Sequence, residues 1–425
     1  MINKVSLFKT KRDFAFAFFI LAFLSTYSLL MEYNDYKQLS RFDSSLVSAT
    51  LQKQYEKTKL KTNGKTKTYQ VLKFKGDKGF VFYTTARKVV NANIGQKMKL
   101  EIFAGEISFY EYLSGFFAFS KVLEIYKDDS LKEKLNLFIE TKHDSKDATD
   151  VYQALYTAKP LGANLQEKFS ALGVSHLLAI SGFHLGVLSA VLFFLLKHPY
   201  KFLQNRYFPY RSQKLDAFII IALVLLAYLL FLDSPPSLLR SFAMLIVGFI
   251  LYDRGVEIVS MQTLTLTVVL LLALFPRLLF GIGFWLSVSG VFYIFLFLIH
   301  FKHLSKTWQF VLAPIWVYLL MTPYSIAIFG NFSVYHPLSI LWTSLFTLFY
   351  PLGIFLHFIN HGDLFDGFLE WLIGLETNAT KIVLAKEWLV LYVGFSLGAI
   401  YKKPFLYLTL LFALSAFVYS VYQIT

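Results

Sequence analysis

Gly173-Val-Ser-His-Leu-Leu-Ala-Ile-Ser-Gly-Phe-His-Leu-Gly-Val-Leu-Ser-Ala-Val-Leu-Phe-Phe-Leu-Leu196 decides how the chain is read. It leaves a charged segment and runs into an apolar one long enough for a bilayer, which takes roughly 20 residues. Its first half is not what lipid favours, because it carries His176, Ser181, Gly182, His184 and Gly186. On one helix, Ser181 and His184 stand a turn apart on one side, and Gly182, Gly186 and Ala190 recur on the other. Small residues let a second helix approach closely. Unsatisfied polar groups in hydrocarbon are costly, so the polar side needs water, a partner or a substrate. The stretch therefore reads as a helix inside a bundle, facing something polar.

Composition agrees with a membrane protein. Of 425 residues, 56% are hydrophobic, 46 are Phe and none is Cys. No ordinary soluble globule has this make-up, and neither a disulfide framework nor thiol chemistry is available. The net charge is +14. Inside-positive sorting accounts for basic loops on the cytoplasmic side only.

Residues 1–31 carry Lys4, Lys9, Lys11 and Arg12 before an apolar run, Phe14 to Met31. The run is too long for a signal-peptide core, so it reads as an uncleaved transmembrane helix with its basic flank in the cytoplasm. Residues 32–106 change texture. Alternating segments at Ser44–Gln52, Thr68–Lys75, Gly79–Thr84 and Lys97–Ala104 are separated by turn formers at Asn63-Gly64, Gly76-Asp77 and Asn91–Gly95. This pattern predicts a small β domain, and its size fits a five-stranded OB-fold-like barrel. Lys57, Lys59, Lys61, Lys65, Lys73, Lys75, Arg87, Lys88, Lys97 and Lys99 are interleaved with Tyr69, Phe82 and Tyr83. Charge runs are usually solvated faces. Basic grooves with stacking aromatics also hold single-stranded nucleic acid. The second reading gains from the side: these cations fall outside, where inside-positive sorting does not put them.

Residues 107–172 read as a helical extracytoplasmic connector, with interfacial aromatics over Tyr110–Phe119 and helices at Leu131–Ile139 and Asn164–Leu172. Residues 173–425 hold the remaining apolar runs and make nine to ten spans with the first, given the length requirement. Leu364–Leu375 either crosses as a short or re-entrant segment or does not count. The fold class is a polytopic α-helical membrane protein with a small extracytoplasmic β-barrel domain. Within the bundle, Arg240 follows Pro235 and Pro236 near the start of a run. It either snorkels to the interface or faces the bundle, where its planar fork suits phosphate. Phe284, Ser287 and Gly290 lie in a glycine- and serine-bearing run whose simplest use is helix packing.

These residues resemble the ComEC family, the inner-membrane DNA-uptake channel of natural competence. The family pattern stands here as Phe169, Gly173, His176, Leu177, Leu178, Ala179, Ile180, Ser181, Gly182 and His184. A second pattern matches Pro235, Pro236, Ser237, Arg240, Ser241 and Met244, a third Pro276, Gly283, Phe284, Leu286 and Ser287, and a fourth Phe329, Gly330, Phe332, Ser333, Pro337 and Leu338. The resemblance implies an outer OB-fold and a bundle that conducts DNA. Many relatives also carry a metallo-β-lactamase-like domain. This sequence has no His-x-His-x-Asp-His cluster, so a short form without that domain is expected, with no metal or cofactor. The Asn that often follows Pro-Leu in the fourth pattern is replaced by Ser339.

The expected function is an inner-membrane channel for single-stranded DNA. Its path includes His176, Ser181, His184, Arg240, Phe284 and Ser287, and Gly182, Gly186 and Gly290 serve helix packing. Its outer domain binds DNA through Lys57, Lys59, Tyr69, Lys73, Lys75, Phe82, Lys97 and Lys99. Membrane lipid surrounds it, and the resemblance implies an outer DNA receptor, a cytoplasmic ATPase or helicase and a separate nuclease. Two alternatives stay open: an intramembrane hydrolase with Ser181 as nucleophile and His184 as base, and a permease for a small or lipid-linked substrate.

Overall fold

A capping box starts the first helix, α1 (Lys11–Leu39): the Thr10 N–H donates to the Asp13 carboxylate and the Asp13 N–H to the Thr10 hydroxyl. The structure, a computed structural model, describes residues 10–60, 66–86, 94–126, 130–255, 259–377 and 379–424. The Asn63-Gly64 turn, the start of the Asn91–Gly95 turn, and Lys61, Lys65, Arg87 and Lys88 lie outside the described residues.

Alternation builds the next unit. The strands β1 (Ser45–Leu60), β2 (Thr66–Gly76), β3 (Val81–Ala86) and β4 (Lys97–Phe103) stand where alternating residues predict them. In β4, Met98, Leu100 and Ile102 are buried, and Lys97, Lys99 and Glu101 take the other face. The chain continues through the short helix α2 (Phe109–Ser114) into β5 (Phe116–Phe117) and β6 (Phe119–Ile125). The sheet therefore runs beyond residue 106, and the end of the expected aromatic interface segment, Phe116, Phe117 and Phe119, is strand. Strand order is β5-β3-β2-β1-β4-β6, antiparallel except for β3 with β5. The expected closed five-stranded barrel is corrected to this mixed six-stranded sheet. Its edges are consecutive strands, because Ala118 interrupts the pairing: its N–H donates to the Tyr83 carbonyl, and β6 then moves to β4. The core under the sheet joins Leu51, Phe74, Phe80, Phe82, Met98, Tyr112 and Phe116.

The connector consists of α3 (Leu131–Glu140), α4 (Lys146–Thr157), α5 (Ala163–Ala171) and α6 (Ser175–Leu178). Ser130 caps α3, its hydroxyl accepting from the Glu133 N–H at 3.2 Å. The bundle follows: α7 (Gly182–Tyr207), α8 (Gln213–Phe231), α9 (Pro236–Asp253), α10 (Met261–Leu274), α11 (Ile282–His300) and α12 (Lys306–Phe329). After the strand β7 (Asn331–Phe332) come α13 (Ser339–Phe358), α14 (Asp366–Gly374), β8 (Thr380–Lys381), α15 (Lys386–Gly398) and α16 (Lys403–Tyr422).

Among the described residues, seven helices are long and apolar enough to cross a membrane: α1, α7, α8, α11, α12, α13 and α16. The expected nine to ten spans are corrected accordingly. The 14 residues of α10 measure about 21 Å at 1.5 Å per residue, short of a hydrocarbon core about 30 Å thick. The open question at Leu364–Leu375 also resolves. β7 pairs with β8, so residues 331–332 and 380–381 meet. The excursion through α13 and α14 returns to the place it left, and α14, only nine residues long, packs with the connector.

Ion pairs tie α1 to the bundle and to the sheet, and the connector to the bundle. Arg277, in the 3-10 turn Pro276–Phe280, donates to Glu32 at 3.0 Å through Nε, and its guanidinium lies 4.8 Å from the Tyr112 ring centre. Lys78 pairs with Asp35 at 2.6 Å and Lys132 with Asp233 at 3.1 Å. Gly79, at φ +84°, keeps its Cβ position clear of the Arg277 guanidinium. Burial pushes the Tyr112 phenol up to about 12, so it stays neutral beside this cation.

Candidate functional site

The 173–196 stretch is not one helix. α6 ends at Leu178, the chain extends at Ala179, and α7 begins at Gly182 with Ser181 as its N-cap. Ser181 and His184 are therefore a cap rather than two residues along a helix wall. The Ser181 N–H donates to His184 Nδ1 at 3.2 Å, and the Phe183 N–H donates to the Ser181 hydroxyl at 3.3 Å. This is the geometry of a capping box, with His in the place usually held by Glu or Gln. Because Nδ1 accepts, the imidazole proton sits on Nε2. That atom is buried, with no partner among the described residues, in a ring packed edge-on to Phe346 and Tyr350 of α13.

The same device recurs at Ser333-Val-Tyr-His336, which the sequence reading passed over. The Ser333 N–H donates to His336 Nδ1 at 2.9 Å, and the Tyr335 N–H to the Ser333 hydroxyl at 3.2 Å. Ser333 Oγ also donates to the Ala171 carbonyl. His336 presses on Gly173, where a Cβ would come within 3.1 Å of the His336 backbone; Gly173 also needs a left-handed φ of +74°. The Ser-x-x-His spacing was visible in the sequence as the repeat of the Ser181–His184 pattern.

The second and third patterns join the same junction. The Ser237 hydroxyl donates to the Ile180 carbonyl at 2.7 Å. A Cβ on Gly182 would collide with the Ser241 side chain. Arg240 is 3% exposed; its Nη1 donates to the Gly283 carbonyl at 3.1 Å, and its guanidinium lies 5.9 Å from the Phe284 ring centre. It does not snorkel. Arg240 Nε has no partner among the described residues.

Other expected residues separate. His176 is exposed, with Nε2 3.2 Å from Thr343 Oγ1 on α13. Ser287 is half-buried one turn beyond Phe284 on α11. Gly186 and Gly290 have nothing within 4 Å of a Cβ position, so the small-residue contact is at Gly182 alone of the three.

On the sheet, register puts Lys53 opposite Lys73, Lys57 opposite Tyr69, and Lys73 opposite Tyr83. Thr50 faces both Lys75 and Lys97, and Ser48 faces Lys99. Opposite residues share a face, so these lysines and tyrosines lie together, away from the core. Lys59 stands opposite Lys67 in the register. Phe82 is the correction here: it is fully buried and stacks on Phe74 at 5.4 Å, out of reach of any base. Lys97 pairs with Asp77 at 2.8 Å. Burial lowers the Lys73 ammonium from its ordinary range; it lowers Lys75 too, with Asp233 opposing the shift.

A cleft of about 240 Å³ joins the two regions. Gln52, Lys53 and Gln54 of β1 line one wall, and Lys159, Gln166 and Ser175 are among the residues of the other, which runs on to Ile180. Ser175 Oγ is buried without a partner among the described residues.

Ser181 Oγ also lies 3.3 Å from His184 Nδ1, but that nitrogen already accepts from the Ser181 N–H, so the contact is explained by the helix cap. Searches of curated proteins and of solved structures return no match. A family model described as Competence protein matches residues 158–422, which is more than half of the chain and includes all four junction patterns. The chain belongs to the competence protein family.

Proposed function

We propose that the protein conducts single-stranded DNA across the bacterial cytoplasmic membrane, with the sheet on the outer side as the strand's first binding surface. One observation carries this reading: four polar sequence patterns converge at the end of a cleft whose other wall is the basic sheet. Lysines along the outer face neutralise phosphates, and Tyr69 and Tyr83 offer stacking surfaces. The strand then passes Lys53, Lys159 and Ser175 to the junction. There His184 Nε2–H and Arg240 Nε, enclosed in this structure and without a partner among the described residues, become donors to phosphate only as the junction opens for the strand, without the dense cation array that would trap it. An outer DNA receptor, a cytoplasmic ATPase or helicase and a nuclease act with it.

The test compares chromosomal His184→Gln, His184→Ala and Lys53→Glu variants for DNA uptake into the cytoplasm and for transformation, against membrane protein level. Gln at the third helical position keeps the cap. Uptake falls sharply in all three while His184→Gln retains normal protein level. Normal uptake in all three would remove the conduit reading.

A further inference from the structure

His143, His357 and Asp366 are 214 and 223 residues apart in pairs, yet they form one chain of contacts, buried at the two histidines and half-buried at Asp366. His143 Nδ1 lies 2.9 Å from both Asp366 oxygens, and His143 Nε2 lies 3.1 Å from His357 Nε2. His357 Nδ1 lies 2.7 Å from the Gly353 carbonyl. The His143 side chain is fully buried and His357 is 6% exposed.

Proton counting decides what this chain holds. A carbonyl can only accept, so His357 carries its proton on Nδ1 and offers a lone pair at Nε2. The 3.1 Å contact then needs a proton on His143 Nε2. The contact with Asp366 needs another, carried by His143 Nδ1 or by the carboxyl. Asp366 and His143 thus share two protons, where an ionised carboxylate and a neutral imidazole would hold one. We propose that this extra proton is a bound ligand of the fold, held between Asp366 and His143, and that it clasps the α13–α14 hairpin to the connector.

A metal does not fit the gap. Two zinc–nitrogen bonds of about 2.0–2.1 Å at a tetrahedral angle set the nitrogens about 3.3 Å apart, and a structural site needs four ligands. No group of three or more His, Cys, Asp or Glu placed to hold a metal ion occurs among the described residues. A distance of 3.1 Å is that of an N–H···N hydrogen bond. The surroundings favour retention. Burial raises the Asp366 carboxyl, with Asp363 and Glu370 adding to the shift and His143 opposing it. Lys142 faces the pair from the connector and opposes the extra proton, while Tyr152 stacks on His143 at 4.4 Å. The clasp has a reach beyond itself, because α13 also carries Thr343, Phe346 and Tyr350 against His176 and His184.

The folded chain binds one proton more than the unfolded chain above the ordinary histidine range, so the clasp is full at low pH and weakens as pH rises. Hydrogen exchange of residues 143–157 and 366–374, corrected for intrinsic rate, reads this in the full protein in lipid nanodiscs. Protection falls by up to about tenfold per pH unit over the range in which the folded chain still holds the shared proton and the unfolded chain has released it, and it levels off once the folded chain loses it. Asp366→Asn removes the dependence while keeping the clasp, because its amide N–H donates to His143 Nδ1 with no shared proton. Asp363→Asn keeps the dependence. A flat wild-type profile, an Asp366→Asn profile as steep as wild type, or a stoichiometric metal in the purified protein would overturn the proposal.

Discussion

The sheet and the junction treat polarity in opposite ways. The sheet separates it: Leu51, Phe74, Phe82, Met98 and Leu100 are fully buried on one side, and lysines and tyrosines share the other. The junction buries it: His184, Arg240, Ser333 and His336 are all enclosed. What makes burial tolerable there is that most contacts go to backbone, through two histidine caps and three carbonyls. Backbone partners are fixed in place, so each side chain keeps one orientation, and one donor each on His184 and Arg240 is buried without a partner among the described residues. The comparison teaches that charge on the sheet is adjustable, whereas polarity at the junction is built into the chain path.

The largest effect that tests this contrast is in the sheet core. Phe82→Ala removes a fully buried ring packed on Phe74, Phe80 and Phe116. Such truncations cost about 3–5 kcal/mol. Thermal unfolding of the sheet should shift down strongly, while DNA bound by the remaining folded protein keeps its salt dependence. A changed salt slope would mean that Phe82 touches the strand after all.

The next effect belongs to the junction. Gly182→Val drives a side chain into Ser241, and overpacking of this kind costs about 1–3 kcal/mol. Gly186→Ala, four residues on, meets nothing within 4 Å, and stability should hold or rise by up to about 1 kcal/mol. Equal losses at both glycines, measured by detergent thermal melts, would restore the small-residue ladder along α7.

Legibility follows the same division. Apolar runs and alternation are local signals, and they located α1, the first four strands and the bundle helices. The junction was half legible. Helical spacing paired Ser181 with His184 but placed both inside a helix, because a cap differs from a helix interior only in the N-cap backbone, extended here at φ −134°. Residues whose meaning depends on distant pairing were not readable. Nothing near Asn331 announces Lys381, so α13 reads as a simple crossing. His143 and Asp366 carry no motif, and only the hairpin that β7 and β8 close brings them together. Strand count failed for a related reason: β5 and β6 lie in an aromatic stretch whose exposed members, Phe117 and Phe119, look the same at a membrane interface.

The smallest expected effect lies on the sheet's outer face, and it separates lysines that the sequence makes look alike. Each phosphate contact on a single strand contributes about 0.7 to the slope of log affinity against log salt. Lys73→Gln should lower the slope by about that amount, because its ammonium sits over the Tyr83 ring at 5.8 Å and has no ion pair among the described residues. Lys97→Gln should lower it less, since Asp77 already pairs with Lys97 at 2.8 Å. Stability should stay within about 0.5 kcal/mol in both, as for most surface changes. The pH dependence sharpens the distinction. Burial lowers the Lys73 pKa, so its charge is lost earlier than an ordinary lysine's as pH rises. Titrating strand binding upward from pH 8 should therefore erase the difference between wild type and Lys73→Gln before the rest of the binding fades. If that difference lasts as long as the remaining binding, Lys73 is solvated like any surface lysine, and the sheet face has no sheltered anchoring charge.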